Sequence, residues 1–289
     1  MSSNGAPLSY VGDLGFQSVA APAIFLACYT PLLGVFLWRS FKMPTHVYYV
    51  LAFFCAIRIA AFGIRTALTA SSTGAQNLNL IITDETLFGV GFFGLLYSAY
   101  NLVLDLEALS DRPESKIRLI RITQNRRMFR LLLLSAVVIG AVGSSIANGS
   151  FTNSTANALR KTSVIIFLVL TILQAFQTVY YAWMELRGSW FAGLRYFLEF
   201  ERFNFDMVDP QRYMDIDEPL GKRHAIFILV AISLLLLVRE IFLTATINNP
   251  RKQIQESLWY PLVALPEILA VILYAIPGLV PSRKELPRY

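Results

Sequence analysis

The chain has 289 residues, of which 55% are apolar and only 15% charged, with a formal net charge of +6 and a mean hydropathy of +0.53. That balance excludes an ordinary soluble globular domain. Windows of about 20 residues with few charges recur along the whole length, and about 20 residues suffice for a helix to cross the hydrocarbon core of a bilayer.

Seven spans are predicted, at Phe16–Trp38, His46–Thr69, Ile81–Leu104, Phe129–Asn148, Ser163–Leu186, His224–Thr246 and Leu258–Val280. The fold class is therefore all-α, a polytopic seven-transmembrane helix bundle forming one domain over residues 1–289. Upstream of the first span, Met1 to Phe16 carries no Lys or Arg and no cleavage pattern. A removable signal peptide is not expected there, and the first helix serves as the signal itself.

The first span contains Pro22 and Pro31, with Gly34 close behind, so a kink is expected, with neighbouring helices satisfying the freed carbonyls. The second holds Arg58 and Arg65, seven residues apart and so about two turns along one face. Both must face protein or water rather than lipid. The uncharged loop from Ala70 to Leu80 leads to Thr83-Asp84-Glu85, where Thr83 suits an N-cap and the two acids suit the positive end of a helix. The same acids lie at the depth of Arg65, roughly 11 to 14 Å from the span centre, so pairing across adjacent helices is the competing reading.

Gly89, Gly91, Gly94 and Ser98 in span three, and Gly140, Gly143, Ser144 and Ser145 in span four, are small residues that permit close helix approach. The loop at 105–128 turns from acidic to basic and ends in Arg126-Arg127. Gln174 and Gln177 read as an interhelical hydrogen-bonding pair, and Tyr180, Tyr181 and Trp183 as interfacial belt residues. The loop at 187–223 begins as a charged, aromatic stretch suited to the membrane surface and continues as an acidic segment over 206–218.

Charge distribution sets the expected orientation. Eighteen of the 25 Lys and Arg fall on the side of the 105–128 loop, the 187–223 loop and the C-terminal tail, against Arg160, Lys161, Arg251 and Lys252 on the other. By the positive-inside rule the N-terminus lies outside or in the lumen and the C-terminus in the cytosol, in the endoplasmic reticulum or plasma membrane. No nucleic-acid partner is expected. The sequons at Asn148 and Asn153 are candidate glycosylation sites near the predicted lumenal loop. Cys28 and Cys55 fall inside spans, and His46 and His224 at span edges, so neither a disulfide framework nor a metal site is expected, and no cofactor is implied.

The last hairpin carries the functional signal. Arg239, Glu240 and Glu267 interrupt its apolar runs, and an ionised group at such depth costs at least about 2.5 to 3.5 kcal/mol without a partner or a wet cavity. Counting along the helices puts Arg239 and Glu240 about 6 to 8 Å lumenal of centre, Glu267 about 3 Å, and Arg58 near the midplane. All four share one layer, so Glu267 is expected near Arg58 or Arg239. One reading is a structural ion-pair network. The other is a polar chamber lined by Arg58, Arg65, Asp84, Glu85, Arg239, Glu240 and Glu267, with Tyr260 and Tyr274 at its wall. Pro266 precedes Glu267, so the helix is expected to break where the carboxylate sits.

The pattern from Arg239 to Phe242, then Trp259-Tyr260-Pro261, Pro266-Glu267, Tyr274 and Pro277-Gly278 resembles the final helices of fungal seven-transmembrane proteins. These include the lipid-translocating exporter-like group and a related fungal group. The resemblance covers mainly the last two spans, with the exporters' polar pattern in the last span only partly present. It implies a fungal origin, an outside N-terminus, and an apolar small-molecule or lipid ligand alongside the membrane lipids themselves.

Two functional classes follow. A binding or transport protein would take a lipid-like or isoprenoid molecule into the chamber, although the chain has no internal repeat of the kind secondary transporters show. An intramembrane cyclase or isomerase would need a carboxylic acid kept neutral in an apolar pocket, which Glu267, Glu240 or Asp84 would supply, and aromatics to stabilise cationic intermediates. A seven-helix receptor is also compatible with the layout. An aspartate-rich diphosphate motif, a nucleophile elbow and a zinc-binding helix motif are all absent from the sequence. The oligomeric state and the ligand's identity are not legible.

Overall fold

A computed structural model describes residues 18–70, 78–109, 125–146, 154–200, 219–249, 252–253, 255–282 and 285. Among these residues the secondary structure is helical, without strands. Seven helices are long and apolar enough to cross a membrane, which fits a multi-pass membrane protein. They are α1 (Ala20–Lys42), α2 (His46–Ala70), α3 (Leu78–Leu109), α4 (Arg126–Ile146), α5 (Ser154–Phe200), α6 (Ala225–Ala245) and α7 (Glu256–Tyr274).

Successive helices pack as neighbours, and α3 also packs against α5 and α6. It is the most buried of the seven, the post around which the others stand. The surface inverts that of a water-soluble protein. Trp38, Phe41, Phe53 and Leu131 stand exposed, while Arg58, Arg65, Asp84, Arg239, Glu240 and Glu267 are buried. Apolar side chains outside and paired charges inside is the arrangement a hydrocarbon solvent selects.

The helix bounds differ from the predicted spans in informative ways. α3 starts at Leu78, so Thr83 lies inside the helix rather than at its N-cap, and Asp84 and Glu85 are past its first turn. The 47-residue α5 runs beyond 163–186 at both ends, and its backbone stays helical through 187–200, where a loop was expected. Hydropathy marks hydrocarbon thickness, whereas helical hydrogen bonding continues where the sequence allows it, and residues 154–200 contain no proline. The acidic stretch 206–218, most of the 105–128 loop, and Asn148 and Asn153 lie outside the described residues.

α7 is not broken at Pro266. Its backbone widens into a π-helical turn over Tyr260–Ala264, then resumes as an α-helix in which Pro266 occupies the first turn. The Leu265 N–H donates to Tyr260 O, so the helix runs on through the widened turn into the segment that carries Pro266. At the opposite end of the hairpin, the Gly221 N–H donates to Pro277 O at 3.1 Å. A Cβ on Gly221 would stand 2.2 Å from that oxygen, and Gly278 has a φ of +84°. This glycine-dependent clasp ties the start of α6 to the end of α7, which sets the register of the charges they carry.

Candidate functional site

α2, α6 and α7 each contribute to a buried ion network. Glu267, in the first α-helical turn after the π segment, accepts from Arg58 Nε at 2.8 Å and Nη2 at 2.7 Å, and from Arg239 Nε at 2.6 Å. Arg239 Nη1 donates in turn to Glu240 Oε1. Arg58 and Glu267 are completely buried. The expected proximity of Glu267 to Arg58 or Arg239 is thus found with both arginines at once. Two guanidiniums and two carboxylates balance in charge, which is what makes burial tolerable, since each ion alone would cost several kcal/mol in desolvation.

α3 completes the shell of Arg58 through its backbone. Arg58 donates to Leu87 O at 3.3 Å and Phe88 O at 3.1 Å. This is possible because Gly91 has no side chain: a Cβ there would meet Arg58 Nη1 at 2.8 Å. The arginines also lie over aromatic rings. Arg58 Cζ stands 4.8 Å from the Phe54 centroid and 4.6 Å from Phe88, Arg239 3.9 Å from Phe92, and Arg65 3.9 Å from Trp259. Such desolvated cation–π contacts contribute about 2 kcal/mol each.

Two further pairs extend the network toward the end of the bundle where α3 begins. Arg65 Nη2 and Nε both donate to Asp84 Oδ2, at 2.6 and 3.1 Å. Pairing across adjacent helices, rather than capping, is therefore the role of Asp84. At the outer edge Arg160 Nη2 meets Glu85 Oε1 at 3.5 Å and Gln253 Oε1 at 3.2 Å, joining α5, α3 and the α6–α7 connection. These two charged side chains are 28% and 30% exposed, so this outer pair is the one that solvent reaches.

Beside the network lies a partly open cavity of about 160 Å³ lined by residues of α2, α3, α4, α5, α6 and α7. Its polar wall carries Arg65, Asp84, Glu85, Arg160, Arg239 and Glu240. Its apolar lining includes Val90, Val137, Val164, Phe167, Leu243 and Val263, together with the aromatic rings of Phe88, Phe92 and Trp259. Asp84 is 2% exposed, and its Oδ1 has no hydrogen-bond partner among the described residues. Gly89 also lines the cavity, is exposed, and has open space where a Cβ would be.

Of the residues expected in the chamber, Arg65, Asp84, Glu85, Arg239 and Glu240 line the cavity. Arg58 and Glu267 stand behind it and hold Arg239 in place. Tyr260 stacks on Phe25 at 5.4 Å instead, and Tyr274 is buried in the core; neither belongs to the cavity wall. Gln174 makes the expected interhelical hydrogen bond, donating to Ser233 on α6 at 2.9 Å, and also donates to Thr178 on its own helix. Gly140 and Gly143 do pack closely on α5, whereas Ser144 faces the cavity and Ser145 is exposed.

Sequence reasoning missed Arg160, Gln253, Trp259, Phe88 and Phe92. The four-residue spacing of Phe88 and Phe92 around Gly91 was the available signal, since it puts two rings on one face beside a gap. Arg160 and Gln253 carried none, because only folding brings their segments to Glu85. Among the described residues no cluster of three or more His, Cys, Asp or Glu is suited to a metal. No protein-family model, curated protein or solved structure matches the chain.

Proposed function

We propose that the protein is a multi-pass membrane protein whose cavity binds or moves a lipid-like or isoprenoid small molecule, with its N-terminus outside or lumenal and its C-terminus cytosolic. One observation carries this reading: a cavity inside a bundle of apolar helices is lined both by ion-paired and by apolar side chains. An amphipathic molecule satisfies both walls at once, whereas a fully polar one would leave the apolar wall wet. The ion pairs have a structural task as well, and the two roles are compatible, because a balanced network holds a polar wall rigid without closing the space beside it.

The test is ligand-dependent stabilisation. Purified protein in detergent, screened against isoprenoid and sterol compounds, is expected to gain thermal stability with at least one of them. Val164→Phe, which places a ring in the cavity from α5, is expected to keep the fold and lose that gain. Stabilisation that persists unchanged in Val164→Phe would overturn the reading.

A second reading keeps acid-catalysed cyclisation or isomerisation of an isoprenoid. It is favoured by the carboxylates of Asp84 and Glu240 sharing a wall with Phe88, Phe92 and Trp259, the combination that proton donation and cation stabilisation require. Glu267 is not the acid in this version, since two guanidiniums engage both of its oxygens. Conversion of an added polyene or epoxide to a cyclic product, lost in Glu240→Gln or Asp84→Asn, separates catalysis from binding.

A further inference from the structure

The buried carboxylates of the bundle are held with very different firmness. Glu267 accepts three hydrogen bonds, on both of its oxygens. Asp84 accepts two from Arg65 on Oδ2, and its Oδ1 is buried away from the cavity. Glu240, 1% exposed, accepts one bond among the described residues, from Arg239 Nη1 to Oε1. It is the least engaged of the three, and it lines the cavity together with Arg239. The two are consecutive on α6, a spacing at which helical side chains diverge rather than face each other.

Arg239 does not depend on Glu240 for its position. Its Nε donates to Glu267 at 2.6 Å, and its Cζ lies 3.9 Å from the centre of the Phe92 ring. Once Glu240 lets go, Nη1 is a fixed donor at the cavity wall, and a ligand oxyanion can take over the charge-assisted bond.

Charge decides when that exchange can happen. With Glu240 ionised, Arg58 and Arg239 balance Glu240 and Glu267, so an added anion leaves one negative charge in excess. With Glu240 protonated, one positive charge is in excess. An uncompensated buried charge is costly either way. The balanced states are an empty cavity with Glu240 ionised, and an occupied one with a proton on Glu240 and one negative charge on the ligand.

α6 packs against α3, α5 and α7. At this wall they present Asp84 and Glu85, Arg160, and Glu267 respectively, and α2 adds Arg58 and Arg65. Arg65 with Asp84 and Arg160 with Glu85 cancel in pairs. Lys222 and Arg223, in the short helix before α6, stand at its opposite end. The charges that act directly on Glu240 are those of Arg239 and Glu267.

We infer that the cavity takes a monoanionic amphiphile together with one proton, the ligand's oxyanion replacing Glu240 at Arg239 Nη1 while Glu240 takes the proton from water. The Nη1–H bond passes from one oxygen to the other, and no net charge is added to the bundle. This rests on the ligand-binding reading above and adds the headgroup class and the coupled ion. Diphosphates carry more negative charge than one proton offsets, and they are not preferred occupants, nor are cations.

The probe is hexanesulfonate, which stays ionised across the working pH range, with 1-hexanol and hexylammonium as neutral and cationic probes of the same chain length. About 160 Å³ suits a six-carbon tail, given that a cavity of about 150 Å³ holds benzene. Calorimetric titration of the full chain in detergent, in buffers of different ionisation enthalpy, counts protons. One proton is expected to be taken up per sulfonate bound at pH 9 and none per hexanol, and the sulfonate's affinity should fall about tenfold per pH unit there. Sulfonate binding without proton uptake at pH 9 would overturn the coupling. Hexanol binding that Val164→Phe abolishes, with the sulfonate not bound or hexylammonium bound more tightly than the sulfonate at pH 6, would leave a lipid site and overturn the anion. No binding by any probe would overturn both readings.

Two variants locate the exchange. Arg239→Met combined with Glu240→Leu removes both partners and leaves Arg58 balanced by Glu267, a replacement that is often neutral for stability. Hexanol should bind it within about twofold of the unsubstituted protein, while the sulfonate loses at least about tenfold in affinity. An unchanged sulfonate affinity would overturn the role of Arg239. Glu240→Gln keeps the shape of the protonated carboxyl, so it should bind the sulfonate with no proton uptake and with equal affinity at pH 6 and pH 9. A pH dependence that persists in this variant would overturn Glu240 as the group that takes the proton. The proton count in the unsubstituted protein decides the coupling even if Glu240→Gln does not fold.

Discussion

Glu267 is the residue on which the buried charges depend. It accepts from Arg58 and Arg239, and the network runs from there to Glu240. Removing its charge leaves two guanidiniums and one carboxylate in a space that solvent does not reach. Glu267→Gln and Arg58→Ala are each expected to destabilise the protein by about 3 to 5 kcal/mol, the range found when one partner of a buried pair is deleted. Combined, they should cost clearly less than the sum, because the second deletion removes a charge that the first had orphaned. Unfolding measured in mixed detergent reads this cycle, and strictly additive losses would show that the two residues are not coupled. The shared level of both residues was legible in sequence, since a helix rises about 1.5 Å per residue. Their hydrogen-bond geometry was not, because it depends on Gly91 admitting the Arg58 guanidinium against the backbone of another helix.

Among the elements, α3 and α7 decide the site. α3 packs against α2, α4, α5 and α6, meets α7 through Phe88 and Trp259, and presents Asp84, Glu85, Phe88, Gly89 and Phe92 to one cavity. α7 contributes through its π turn. One extra residue in a turn rotates everything after it by about 100°, so the facing of Glu267 toward Arg58 and Arg239 depends on the widened segment Tyr260–Ala264. The sequence signalled a perturbation there through Pro266, but widening and breaking share that signal. Where the cavity lining is most polar, Arg160 on α5 joins Glu85 on α3 and Gln253 in the α6–α7 connection. Because this contact is long and partly exposed, Arg160→Ala should change stability by less than about 1 kcal/mol. It should nevertheless speed labelling of a Ser144→Cys cavity reporter by a water-soluble maleimide. Labelling no faster than in the Arg160 protein would mean that the pair does not guard the aqueous end.

For the whole molecule, seven apolar helices with charges inside and large apolar side chains outside follow from composition and period alone. The orientation proposed from the basic loops yields a direct expectation. In sealed microsomes a protease added outside should remove a C-terminal tag and spare an N-terminal one, and the reverse pattern would invert the topology. What the sequence determined by itself was axial: the number of helices, the position of each charge along its helix, and the shared level of Arg58, Arg239, Glu240 and Glu267. Hydropathy and helical rise are local properties, readable one segment at a time. What only the tertiary structure decided was azimuthal and interhelical. It turned Asp84 from a helix cap into the partner of Arg65, placed Arg58 and Glu267 behind the cavity rather than in it, and brought Arg160 to Glu85. Those outcomes depend on which helix faces which, and that is set by packing around α3 and by a π turn whose rotation no local pattern encodes.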